Sequence, residues 1–164
     1  MKKINFVKMH GLGNDFVIID KRANNINITK DLINKLSNRK SGAGCDQLIT
    51  INASKDSNVE VEIEIFNPSG DKAEACGNGT RCVAKLIFEE SKKNEVNILS
   101  DAGLLKAKKV DSNNISVNLG QLSTDWKIIP LSKKIDTLNI PIKIDEFENG
   151  VAVNIGNPHI VFFG

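Results

Sequence analysis

Residues 59–90 read VEVEIEIFNPSGDKAEACGNGTRCVAKLIFEE, and the two ends of this stretch obey different periods. In VEVEIEIF, Val59, Val61, Ile63 and Ile65 alternate with Glu60, Glu62 and Glu64. That period of two places one set on each face of a half-buried strand. From about Asn78 to Glu90 the pattern changes. Cys82, Val83, Ala84, Leu86, Ile87 and Phe88 leave only Arg81 and Lys85 as polar interruptions, so a helix here is apolar on most sides and belongs in an interior.

Outward from this stretch the chain is rich in strands. INFVKM, FVIID, QLITI, VNIL, LLKAKKV, ISVNLG, VAVNIG and HIVFFG are short apolar or alternating runs, mostly bounded by Gly, Asn, Asp or Ser. A second helix is expected from Thr29, where TKDLINKLSNRK offers an N-cap, an acid in the first turn, and Leu32, Ile33 and Leu36 at helical spacing. Between Leu122 and Asn139 the pattern weakens into a connection, and Pro141 precedes the final strands. Many strands and one internal helix imply an α+β fold in which a barrel-like mixed or antiparallel sheet wraps a central buried helix.

Composition excludes several classes. The 22 Lys and Arg are scattered among 20 Asp and Glu, giving a net charge of +2 and no basic stripe, so nucleic acid is not an expected partner. Apolar runs fall short of the roughly 18 residues of a membrane span. MKKINFVKMHGLGND lacks a signal-peptide core, so a cytoplasmic chain with no membrane partner is expected. Three cysteines without a C-x-x-C support neither a disulfide framework nor structural zinc, and His10 and His159 lack companions at metal spacing, so no metal is expected. GLGNDF begins like a dinucleotide fingerprint, but Phe16 stands where the third glycine belongs and no helical pattern follows.

Cys76 immediately precedes the expected buried helix. Backbone N–H groups there have no intrahelical partner and the macrodipole is positive, which favours a thiolate and an adjacent carboxylate. Gly77 and Gly79, flanking Asn78, let a ligand approach the backbone. The same residues also suit a bland reading, a buried cysteine before a turn, and the residue types leave the two open. Cys82 lies about 9 Å further along the helix and some 240° around it, so it points into packing. Cys45, in SGAGCDQ, follows a glycine turn and carries no role. Asn14, Asn67 and Asn157 each stand beside Gly or Pro at an expected strand end, where ligand contacts are common.

MHGLGNDF, GAGCDQL, FNPSGDKAEACGNGTRC and IGNPH together, in this order and spacing, resemble diaminopimelate epimerase, from Met9 to His159. The resemblance implies a cofactor-independent amino-acid epimerase, without pyridoxal phosphate, interconverting LL- and meso-2,6-diaminopimelate for lysine and peptidoglycan. It implies two similar lobes, each a barrel-like sheet around a helix, with one catalytic cysteine from each lobe, and a homodimer for the full-length form. Cys76 matches the first cysteine. Asn14, Gln47, Asn67, Gly77, Asn78 and Asn157 match substrate-binding positions, and His159 matches a histidine that tunes the thiols. Residues 1–150 are expected to form the first lobe, with its helix at about 78–90, and 151–164 to begin the passage to the second.

Two departures from the family pattern stand out. NPSG has Ser69 where an acid is commoner, which implies a turn variation. The block resembling CGSG that carries the second cysteine does not occur in these residues, and neither Cys45 nor Cys82 can replace it. The 164-residue chain alone is therefore expected to lack turnover, and a non-catalytic amino-acid-binding lobe is the competing reading. An isomerase of the phenazine-biosynthesis type would use an acidic residue in place of Cys76.

Overall fold

The computed structural model describes residues 3–24 and 26–164. The chain divides into two compact units, Met1–Asn118 and Leu119–Gly164, a break well ahead of the boundary expected near residue 150.

The first unit holds strands β1 (Val7–Gly11), β2 (Asn14–Asp20), β3 (Gln47–Asn52), β4 (Val61–Phe66), β5 (Lys72–Ala73), β6 (Glu95–Ser100), β7 (Gly103–Lys109) and β8 (Ile115–Asn118), with helices α1 (Lys30–Ser37) and α2 (Gly77–Ser91). Seven strands lie in the order β1-β2-β3-β4-β6-β7-β8, and β5 pairs with β4 off this path. The sheet is mixed: β2 with β3 and β4 with β6 are parallel, and the other pairs are antiparallel. Helix α2 packs against β1 at one edge and β8 at the other, as well as β2, β6 and β7, so the sheet curls around it as a half-barrel.

The two faces explain the sequence. Phe16 and Ile18 of β2, Ile49 and Ile51 of β3, and Val61, Ile63 and Ile65 of β4 join Cys82, Val83, Ala84, Ile87 and Phe88 of α2 in one core. Glu62 and Glu64 leave on the other side, to Ser54 and Lys72. Val17 and Ile19 face the opposite way, onto Ile33 of α1, Cys45, Leu48 and Phe66. A strand covered on both sides is apolar throughout, which is why FVII does not alternate. Thr29 caps α1, its side chain accepting the Leu32 N–H, and α2 ends on Lys92 in the left-handed region at φ 58°.

The β4–β6 ladder is short, with only Val61↔Ile98 and Glu62↔Leu99 in register. Side chains and loop backbone extend it. Glu60 N–H donates to the Asn97 carbonyl, Asn97 N–H to the Glu60 carboxylate, and Asn97 Nδ2 to the Asn58 carbonyl.

The second unit holds β9 (Ile140–Ile144), β10 (Phe147–Asn154) and β11 (Pro158–Val161), an antiparallel sheet in the order β11-β10-β9. Its own small core of Ile129, Ile140 and Ala152 explains why it is separate. Pro141 lies within β9 rather than ahead of the final strands. Its missing N–H is tolerated because β9 is an edge.

Candidate active site

Cys76 is the N-cap of α2. Its backbone is extended, at φ −150° and ψ 100°, and its Sγ accepts the Gly79 N–H at 3.4 Å, a position more often filled by a hydroxyl or carboxylate oxygen. Thr80 fixes the other end of the residue: its N–H, at 2.9 Å, and its hydroxyl, at 3.0 Å, both donate to the Cys76 carbonyl. The sulfur is half-buried. Among the described residues the N–H groups of Gly77 and Asn78 donate to no protein group, so two first-turn donors stand beside the sulfur at the positive end of a 15-residue helix.

Asn14, the first residue of β2, brings its Oδ1 to 3.7 Å from Cys76 Sγ and accepts from Asn78 Nδ2 at 3.4 Å. Its Nδ2 donates to Asp46 Oδ2 at 3.0 Å. Arg81, one turn further along α2, donates to Asn78 Oδ1. Gln47 opens β3, directly after Asp46, and its Nε2 donates to Asn67 Oδ1 at 3.1 Å; its Oε1 is buried with no partner among the described residues. A buried unpaired acceptor is costly, so this oxygen is suited to a donor on a ligand.

Asn67 begins the NPSG turn. The Gly70 N–H returns to the Asn67 carbonyl at 2.8 Å, Gly70 adopts φ +85°, and Ser69 Oγ donates to Asp71 Oδ2 at 2.9 Å. The turn closes with serine in place of the acid.

Asp15 and Asp46 anchor this end of the sheet. Arg39 donates to both carboxylates, at 2.7 Å in each case, and Lys8 pairs with Asp15 at 2.7 Å. The Arg39 guanidinium, seconded by Lys8, holds the Asp15 carboxyl well below the usual carboxylate range. Asp46 is lowered as well, first by the Asn14 amide.

The structure thus brings Cys76, Gly77, Asn78 and Asn14 together, and places Gln47 against Asn67. Asn157 and His159 belong to the second unit, where His159 Nε2 lies 2.9 Å from Asn157 Oδ1 and the His159 side chain is exposed. Cys82 is 5% exposed in the α2 core, and burial pushes its thiol up to about 11. Cys45 is buried beside Ser37 Oγ, at 3.4 Å. Sequence reasoning missed Asp15, Arg39, Asp46 and Arg81. The two acids stand inside the quoted GNDF and GCDQ motifs, but nothing in the motifs reveals which cation reaches them. Among the described residues no cluster of His, Cys, Asp and Glu is arranged to hold a metal, and no helix is long and apolar enough to cross a membrane.

The sequence profile of diaminopimelate epimerase matches residues 6–124. The chain belongs to the diaminopimelate epimerase family. It is 47% identical over 161 residues to a diaminopimelate epimerase of Pelagibacter ubique (strain HTCC1062), covering 95% of this chain and 58% of the relative. It is 46% identical over 158 residues to one of Sphingopyxis alaskensis (strain DSM 13593 / LMG 18877 / RB2256), covering 96% and 56%. The chain therefore spans little more than half the length of these diaminopimelate epimerases. In fold it resembles a hydroxyproline epimerase from Agrobacterium vitis with bound trans-4-hydroxy-L-proline, at TM-score 0.67 and 15% identity over 94% of this chain and 50% of that one. It also resembles a phenazine biosynthesis protein of the PhzF family from Bacillus anthracis, at TM-score 0.61 and 18% identity over 99% and 56%.

Proposed function

We propose that this chain supplies one half of a cofactor-independent epimerase site acting on LL- and meso-2,6-diaminopimelate, with Cys76 as the acid–base group on one face of the α-carbon. The supporting observation is the sulfur itself: an N-cap side chain flanked by two first-turn amides that, among the described residues, donate to no protein group. The Cys76 thiolate takes the α-proton as the C–H bond breaks, and the electron pair moves into the adjacent carboxylate. Inversion requires a second acid to deliver a proton from the opposite face. In this proposal that group lies outside residues 1–164.

The Gly77 and Asn78 N–H groups are suited to the carboxylate, which gains charge as the proton leaves, and oriented backbone donors are most effective against charge that develops during reaction. Asn14, Gln47 and Asn67 would orient the substrate with neutral amides. A small amino acid is the partner in this reading, the setting is cytoplasmic and the full-length form a homodimer.

The test is deuterium incorporation at the α-carbon of diaminopimelate in D₂O. A polypeptide carrying these residues together with the remaining length of the relatives should exchange both stereoisomers, and Cys76→Ala should lower that exchange by about 10²–10⁴-fold. The 164-residue chain alone should not interconvert the two stereoisomers. Full exchange with Cys76→Ala, or turnover by the 164 residues alone, overturns the proposal.

A further inference from the structure

Side-chain amides can be reversed end for end, but a carboxylate only accepts and a guanidinium only donates. The Asn14–Asn78 pair lies between one of each. Asp46 Oδ2 takes the Asn14 nitrogen at 3.0 Å, which turns Asn14 Oδ1 toward Cys76. Arg81 donates to Asn78 Oδ1, which turns Asn78 Nδ2 toward Asn14. The two constraints agree, because Asn78 Nδ2 then meets Asn14 Oδ1 at 3.4 Å. Reversing either amide alone sets nitrogen against nitrogen or oxygen against oxygen, so one intact constraint holds both.

We infer that Asp46 and Arg81 are positioning residues: from opposite ends they fix the polarity of the Asn14–Asn78 amide pair so that oxygen, and not nitrogen, faces the sulfur of Cys76. The inference rests on Cys76 being the proton-carrying group proposed above. Asn14 Oδ1, at 3.7 Å, then accepts the S–H of the protonated form, while the Gly79 N–H donates to the sulfur in both forms. On ionisation Asn14 Oδ1 confronts an anion and cannot turn away.

Titratable and charged groups on the surrounding elements are Cys82 and Arg81 on α2, Glu74 in the segment before it, His10 opposite Asp15 on β1, and Lys8, Asp15, Arg39 and Asp46. Removing Asp46 and removing Arg81 act on a nearby thiolate with opposite electrostatic sign. Charge alone therefore leaves the double variant near wild type. With both constraints gone the amide pair can reverse and present Asn14 Nδ2 to the sulfur, a charge-assisted hydrogen bond.

The experiment is iodoacetamide modification of Cys76, read by mass spectrometry on the 164-residue chain, as the rate at pH 7 divided by the rate on the alkaline plateau. The ratio cancels changes in access that affect both rates. Asp46→Ala and Arg81→Met should each stay within about threefold of wild type, and the double variant should rise about tenfold, the effect of one hydrogen bond to a charged group. Additive single effects, or an unchanged double variant, overturn the inference. If reaction at Cys45 or Cys82 shows that the double variant has unfolded, Asn14→Ala decides instead: deleting the oxygen should raise the ratio severalfold, and no change overturns the inference. No turnover is involved, so loss of the proposed reaction and loss of this inference give separate results.

Discussion

Gly79 puts the packing of the site to a quantitative test. A Cβ added there would lie 2.6 Å from Ile49 Cδ1, 3.3 Å from Phe16 Cε1 and 3.6 Å from Cys76 Sγ. Carbon atoms pack at about 3.5–4 Å, so the Ile49 methyl must retreat by roughly 1 Å. Ile49 and Phe16 are both 0% exposed, which leaves no open space for that retreat. Overpacking of this kind costs about 1–3 kcal/mol, and alanine recovers up to about 1 kcal/mol over glycine in a helix, so Gly79→Ala should destabilise the first unit by roughly 1–2 kcal/mol. Urea unfolding measures this. Circular dichroism is the better signal, since the chain's one tryptophan, Trp126, lies in the second unit. Ile49→Val removes the offending methyl and alone costs about 0.5–1.5 kcal/mol. Combined with Gly79→Ala it should cost less than the sum of the two by about 1 kcal/mol. Additivity, or a Gly79→Ala variant as stable as wild type, refutes the reasoning.

Cys76, the half-buried thiol, should be alkylated first under native conditions, with Cys45 and Cys82 following only on unfolding; equal rates for all three in the folded protein contradict the burial described. The Cys82 thiol is raised from 9.0 to about 11 by burial, so the unfolded chain ionises first and stability should fall by up to about 3 kcal/mol as pH rises across that interval, a fall that Cys82→Ala should lack in pH-dependent urea titrations. Asp15 has the opposite sign: its depressed carboxyl contributes stability above an unfolded value of 3.8 and loses it as pH falls through the folded one. Asp15→Asn should therefore be less stable at neutral pH, with the gap to wild type narrowing in acid. Thr29→Ala removes the cap that accepts the Leu32 N–H and should cost about 1 kcal/mol by thermal unfolding.

The sequence was most readable where one local rule acted alone. The alternation of Val61, Ile63 and Ile65 with acids gave β4, and the all-round apolar run after Cys76 gave α2 to within a residue at either end. Lys72–Ala73 is too short for any period to register, and β9 was hidden by Pro141, a strand breaker everywhere except an edge. The break after Asn118 escaped because it depends on whether β9 to β11 gather a core of their own, which Ile129, Ile140 and Ala152 decide from distant positions. At the site, Cys76 as a helix cap was a local inference. The Arg39 clamp on Asp15 and Asp46 joins the loop after α1 to β2 and the start of β3, and only the parallel pairing of β2 with β3 brings them together.

Two register pairs join β4 to β6, fewer than join any other adjacent strands on the main path of the curled sheet. Glu60 and Asn97 lengthen the seam with groups that lie near solvent and can trade partners with water. Hydrogen exchange should therefore run faster at Glu60 and Asn97 than in the middle of β3, and an opening that begins there uncovers the part of α2 that packs on β6 before either end of the sheet comes apart.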